Sequence, residues 1–133
     1  MTALVVIDSS AIVAVFRGEP GADELFARAM RYQRRVMSAS TWLECATVCE
    51  GKKDEGGGER FDRIASTLKL EVVAFSPQQA IFAREAFRRY GKGRQTKASL
   101  SFGDCFAYAL AKDLGAPLLF KGNDFAQTDI AAA

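Results

Sequence analysis

The sequence predicts an α/β fold. It reads as a single domain over residues 1–133 with a central parallel sheet of about four to five strands flanked by helices. Three observations carry that expectation. Short aliphatic runs that stop at polar or turn residues recur along the chain. Segments with helical spacing separate them, giving the order β-α-α-β-α-α-β-α-α-β. Finally, 133 residues that are 49% hydrophobic and 26% charged suit one domain with a substantial core.

Leu4-Val5-Val6-Ile7 is a continuous aliphatic run ending at Asp8, as in a strand buried on both faces. A helix over residues 11–16 follows, stopped at Gly18 and Pro20. Residues 22–35 place Leu25, Phe26, Ala29, Met30 and Tyr32 at helical spacing, with Arg28, Arg31, Arg34 and Arg35 mostly opposite. Residues 36–38 form a second strand and residues 41–50 a helix. Residues 52–58, Lys-Lys-Asp-Glu-Gly-Gly-Gly, read as a solvated connection too short to separate domains.

A helix over 61–68 and a third strand over 72–75 come next. Ser76-Pro77 then opens a helix through Tyr90, with serine at the N-cap and proline at N1. Residues 91–97 form a basic, glycine-punctuated loop. The helix over 102–114 stops at Gly115 and Pro117, and a fourth strand over 118–120 leads into Lys121-Gly122-Asn123-Asp124. Ligands of parallel sheets bind beyond the carboxyl ends of the strands, which directs attention to Asp8 and to the turn after Phe120.

Composition limits the chemistry. The chain has no histidine, so Ser-His-Asp triads, Cys-His dyads, His-ligated zinc and a His general base are all excluded. Eighteen Lys and Arg against sixteen Asp and Glu leave a net charge of only +2. Cys45, Cys49 and Cys105 have no framework spacing and read as buried thiols. The carboxylate of Asp104 beside Cys105 disfavours a thiolate nucleophile. Asp8, Ser9 and Ser10 interrupt the apolar start before it could serve as a signal peptide or a membrane span. The expected setting is soluble, reducing and cytoplasmic, with no membrane.

Several carboxylates stand in unusual places. Asp8, at a strand-to-helix junction, suits an N-cap. Thr41-x-x-Glu44 fits a capping box, yet Trp42, Leu43, Cys45 and Ala46 surround Glu44, and an acid in so apolar a stretch is expected to be paired or functional. Ser101-x-x-Asp104 is again a capping pattern, on a helix otherwise rich in Ala107, Leu110, Ala111 and Leu114. Asp124 and Asp129 follow the last strand, where acids are ordinary turn residues. Carboxylates that converge repel one another unless a cation lies among them. Oxygen-only ligand sets are the preference of Mg²⁺ and Mn²⁺. Between Arg84 and Lys97 the positive residues Arg84, Arg88, Arg89, Lys92, Arg94 and Lys97 face a single acid, Glu85. That pattern suits a solvated helix face or contacts to a polyanion.

Four segments together resemble the PIN-domain ribonucleases, specifically the VapC-type toxins of bacterial toxin–antitoxin pairs. They are Val6-Ile7-Asp8-Ser9-Ser10-Ala11, Glu44 after a Ser/Thr-rich helix start, Phe102-Gly103-Asp104-Cys105-Phe106-Ala107-Tyr108-Ala109-Leu110-Ala111, and Leu118-Leu119-Phe120-Lys121-Gly122-Asn123-Asp124-Phe125. The resemblance covers essentially the whole chain. It implies a Rossmann-like sandwich whose acids bind Mg²⁺ or Mn²⁺ and cut RNA. Asp8, Glu44 and Asp104 match the first three acids. Many relatives carry the fourth where this chain has Gly122, so Asp124 takes that place here, with Asp129 as the fallback.

In the implied site Asp8 and Asp104 hold the ion, and Glu44 and Asp124 complete its shell. The ion lowers the pKa of bound water toward ~7 and so supplies hydroxide without histidine. Ser9, Lys92, Arg94, Lys97 and Ser101 are the implied RNA contacts. The implied partners are a VapB-type antitoxin, whose C-terminal segment lies in a hydrophobic groove, and a second copy in a homodimer. The apolar helices over 11–16 and 41–49 are candidates for that groove.

Other acid-based α/β phosphotransfer domains fit less well. A haloacid-dehalogenase-like phosphatase wants a second acid two residues after the first, where this chain has Ser10. A response-regulator receiver wants an acid pair before its phosphoaccepting Asp. A non-catalytic RNA- or protein-binding module of the same fold would have no reason to keep Asp8, Glu44 and Asp104.

Overall fold

The structure, a computed structural model, describes residues 3–51, 55–93 and 97–133. Four strands, β1 (Leu4–Ile7), β2 (Arg34–Ser38), β3 (Glu71–Val73) and β4 (Leu118–Leu119), form one sheet in the order β3-β2-β1-β4. Every pairing is parallel. Six helices surround it: α1 (Ser9–Arg17), α2 (Ala22–Met30), α3 (Ala39–Cys49), α4 (Gly57–Thr67), α5 (Pro77–Tyr90) and α6 (Phe102–Leu114). The element order is the one the sequence predicts.

Side chains alternate across a strand, and here the alternation builds two cores. Val5, Ile7, Met37 and Leu119 point into a layer with Ala11, Ile12, Leu25, Cys45 and Phe61. Val6, Val36 and Leu118 point the other way, to Ala86, Tyr90, Ala107, Leu110 and Ala111. The sheet is thus covered by α1 to α4 on one face and by α5 and α6 on the other, which explains why the central β1 reads as an unbroken aliphatic run. Among the described residues no helix is long and apolar enough to cross a membrane.

Three of the boundaries that differ from expectation are instructive. The helix expected over 22–35 ends at Met30, and Arg34 and Arg35 belong to β2. Arg35 is buried, and its guanidinium donates to the carbonyls of Leu68, Ala29 and Tyr32. Arg34 pairs with Glu71 of β3 through two hydrogen bonds at 2.9 and 3.0 Å. Tertiary bonding to helix-end carbonyls, invisible in the periodicity, sets this boundary. Secondly, α4 begins at Gly57, four residues before the expected start, because the buried Phe61 is held against Trp42 of α3. Residues 52–54 of the expected connection lie outside the described residues. Thirdly, α3 starts at Ala39 with Ser38 as its N-cap, so Thr41 and Glu44 form no capping box.

The strand order reverses at β1. From β1 the chain steps to β2 and β3 on one side, then returns to place β4 on the other. Such a switch point opens a crevice beyond the carboxyl ends of the two strands that flank it. Asp8 follows β1 and the Lys121–Asp124 turn follows β4, so both border that crevice.

Candidate active site

Asp8 is both a cap and something more. Its Oδ2 accepts the Ser10 N–H at 3.0 Å at the start of α1, and its own N–H donates to Leu119 O of β4 at 2.9 Å. The residue is only 2% exposed, and its other oxygen, Oδ1, is buried with no hydrogen-bond partner. Burial pushes the carboxyl up to about 6, the Ser10 hydrogen bonds oppose this, and the charges of Asp104 and Glu44 add to the rise.

Asp104 sits in the first turn of α6. There it closes a complete capping box: Ser101 Oγ accepts the Asp104 N–H at 3.2 Å, and Asp104 Oδ2 accepts the Ser101 N–H at 2.9 Å. Its carboxyl is also raised, first by burial and in part by the charge of Asp124. The capping readings of Asp8 and Asp104 are therefore correct, and each uses one oxygen of two.

Glu44 has no capping role. It lies on the exposed side of α3, although its sequence neighbours are apolar, and its carboxylate rests on the backbone of Gly103 in α6. Asp124 is exposed in the turn after β4. Thus α1, α3, α6 and the β4 turn each bring one acid to the crevice, and Asp8 and Asp104 register the charge of the others. Asp129 goes elsewhere. It accepts from Tyr108 Oη and from Lys112 Nζ at 3.0 Å, and Arg89 lies 3.9 Å away.

Four acids bordering one crevice, with a buried unpartnered oxygen on Asp8, fit a hard divalent cation, which takes carboxylate oxygens and offsets their repulsion. Among the described residues no three acidic or thiol side chains close into a ready-made cage. Asp8 Oδ2 and Asp104 Oδ2 are committed to their caps, which leaves the second oxygen of each, with the carboxylates of Glu44 and Asp124, to take an ion. Cys45 and Cys105 are held as thiols rather than thiolates. Burial pushes Cys105 up to about 11 and Cys45 higher still, and neighbouring acids add to both.

Ser10 and Gly103 also border these acids; the sequence places both in the resemblance motifs but gives neither a role of its own. Ser10 Oγ accepts the N–H of Lys121 at 2.9 Å, which fixes the turn carrying Asp124. The signal was its place two residues after Asp8. Ser9 begins α1, and its carbonyl faces Cys45 Sγ at 4.0 Å. Ser101 caps α6. Lys92 and Lys97 are exposed in the loop before α6, whose ends are pinned by Lys92 N–H to Leu100 O and Leu100 N–H to Tyr90 O, both 2.9 Å. Arg94 lies outside the described residues.

Comparison with known proteins identifies the family. The PIN domain matches residues 5–131. Ribonuclease VapC30 of Mycobacterium tuberculosis is 47% identical over 126 residues, covering 95% of each chain. The Ribonuclease VapC of Mycolicibacterium smegmatis is 47% identical over 127 residues, covering 96% of this chain and 98% of its own. Among solved structures, the M. tuberculosis toxin VapC20, which cleaves the Sarcin-Ricin loop, superposes with a TM-score of 0.75 at 16% identity, covering 97% of this chain and 98% of that one. VapBC2 from Rickettsia felis, bound to a promoter DNA fragment, gives 0.73 at 17% identity over 98% and 97%. These last two share the fold. A domain match across almost the whole length, with close relatives end to end, establishes that the chain belongs to the PIN-domain family of VapC ribonucleases.

Proposed function

We propose that this protein is a metal-dependent endoribonuclease, the toxin of a toxin–antitoxin pair, acting in the cytoplasm with Mg²⁺ or Mn²⁺. Nucleases of its family depend in general on a divalent metal ion. The observation that carries the reading is the buried, unpartnered Oδ1 of Asp8 among the charges of Glu44, Asp104 and Asp124. Those four acids would hold the ion, which when bound polarises the phosphodiester and supplies hydroxide near neutral pH.

The protein's own side chains do the rest. The caps on Asp8 and Asp104 fix two carboxylates on helix starts, and Ser10 holds the β4 turn. Lys92, Arg94 and Lys97 supply positive charge for the RNA backbone, with Ser9 and Ser101 beside the acids as further RNA contacts. Cleavage of single-stranded RNA by the purified chain tests this. Activity lost in EDTA and restored by Mg²⁺ or Mn²⁺ supports it, and undiminished cleavage in EDTA refutes it.

An antitoxin segment has a cleft to occupy. Val15, Phe16, Phe26 and Ile64, with Arg60 and Arg63, line an open cleft of about 310 Å³ between α1, α2 and α4. Of the helices expected to supply the groove, α1 lines this cleft, with α2 and α4 in place of α3. Its apolar floor and two arginines suit an amphipathic segment carrying acids, the chemistry of a VapB-type partner. A homodimer would cover the second apolar groove, between α5 and α6, where Phe87 and Phe102 are exposed.

A further inference from the structure

The space between α3 and α6 is closed by a missing side chain. A Cβ placed on Gly103 would stand 2.5 Å from Glu44 Oε2 and 3.1 Å from both Cδ and Oε1 of the same carboxylate. Contacts under about 3.0 Å are not sustained by real Cβ atoms, so Glu44 occupies the volume that any other residue at position 103 would fill. Gly103 is not among the glycines with positive φ, and its helical backbone would accept an alanine. Close approach, not backbone conformation, is what asks for glycine here.

We propose that Gly103 is a positioning residue: its bare Cα is the seat that holds the Glu44 carboxylate beside Asp104. This rests on the reading of these acids as a metal site. The obstacle an added methyl group meets is the free end of a flexible side chain, so the carboxylate swings away while the backbone stays. Alanine is also the better helix former. Substitution should therefore spare the fold and disturb the site, whereas a glycine kept only for packing would do the reverse.

The test measures Mn²⁺ affinity by calorimetry on the full chain, with Tm in EDTA as the control for folding. Gly103→Ala is expected to weaken Mn²⁺ binding by about 10- to 100-fold, as displaced supports of metal ligands do, with Tm unchanged or raised. In the Glu44→Asp background the shorter acid leaves room for a methyl group, so the same alanine should cost little more. A strong coupling between the two positions is the signature. Three results overturn the proposal: unchanged Mn²⁺ affinity in Gly103→Ala, an equal loss in both backgrounds, or a lowered Tm. If wild type binds no Mn²⁺, or Asp8→Asn binds it as tightly as wild type, the metal reading itself fails and the role of Gly103 falls with it.

Discussion

Ser10 Oγ accepts the backbone N–H of Lys121 at 2.9 Å, across 111 residues of sequence. The bond joins the first turn of α1 to the turn leaving β4, and so couples the segment bearing Asp8 to the segment bearing Asp124. The Lys121 side chain adds a second tie, to Glu19 at 2.7 Å. Ser10→Ala is expected to leave the sheet intact, speed amide exchange over residues 121–124, and lower cleavage by on the order of 10-fold, as loss of a supporting contact does. Unchanged exchange in the turn would show that Ser10 does not hold it.

The fourth acid is decided by two substitutions with opposite effects. Asp124 acts on Asp104 by its charge, whereas Asp129 is bonded to Tyr108 and Lys112. Asp124→Asn should weaken divalent-ion binding and cleavage without lowering Tm. Asp129→Asn should lower Tm and spare cleavage per folded molecule. The reverse pattern would move the site to Asp129.

Asp8 gives a pH signature. Its carboxyl, ordinarily near 3.8, is pushed up to about 6 in the folded protein. Between those values the folded state keeps a proton that the unfolded chain has released, so stability falls as pH rises through that window and the whole penalty is present above about 6. That gap corresponds to about 3 kcal/mol. Asparagine caps a helix as well as aspartate does. Asp8→Asn, unfolded by denaturant in EDTA, should therefore be more stable than wild type at pH 7.5 and equal to it near pH 4. Equal stability at both would contradict the burial of this charge.

Arg35 is a structural prediction with no catalytic consequence. Its guanidinium serves carbonyls at the ends of α2 and α4. Arg35→Met leaves those buried acceptors unpaired, at a cost of about 3 kcal/mol, which lowers Tm by on the order of 10 °C. Mn²⁺ affinity of the folded protein should not change.

Arg35 also marks where the sequence stopped being legible. Its spacing matches the polar face of a helix, but its partners lie on α2 and after α4, and no local pattern reports a bond to a distant carbonyl. Strands β1 and β4 were readable because burial on both faces leaves unbroken aliphatic runs, and Asp8, Asp104 and Asp124 because they stand at strand ends and helix starts. Glu44 was found because an acid among apolar neighbours is expected to be paired or functional, and the structure seats it, exposed, on Gly103. The absence of histidine was the most useful compositional fact, since it left oxygen ligands as the chemistry to look for.

The central claim is that these carboxylates hold a divalent ion with which the protein cuts RNA. Cleavage of a single-stranded RNA across a Mn²⁺ titration, for wild type and for folded Asp104→Asn, tests it most directly. Cleavage by wild type that rises with Mn²⁺, against none above background in Asp104→Asn at any concentration, is the predicted result. Equal cleavage by the two proteins, or cleavage indifferent to Mn²⁺, would contradict it.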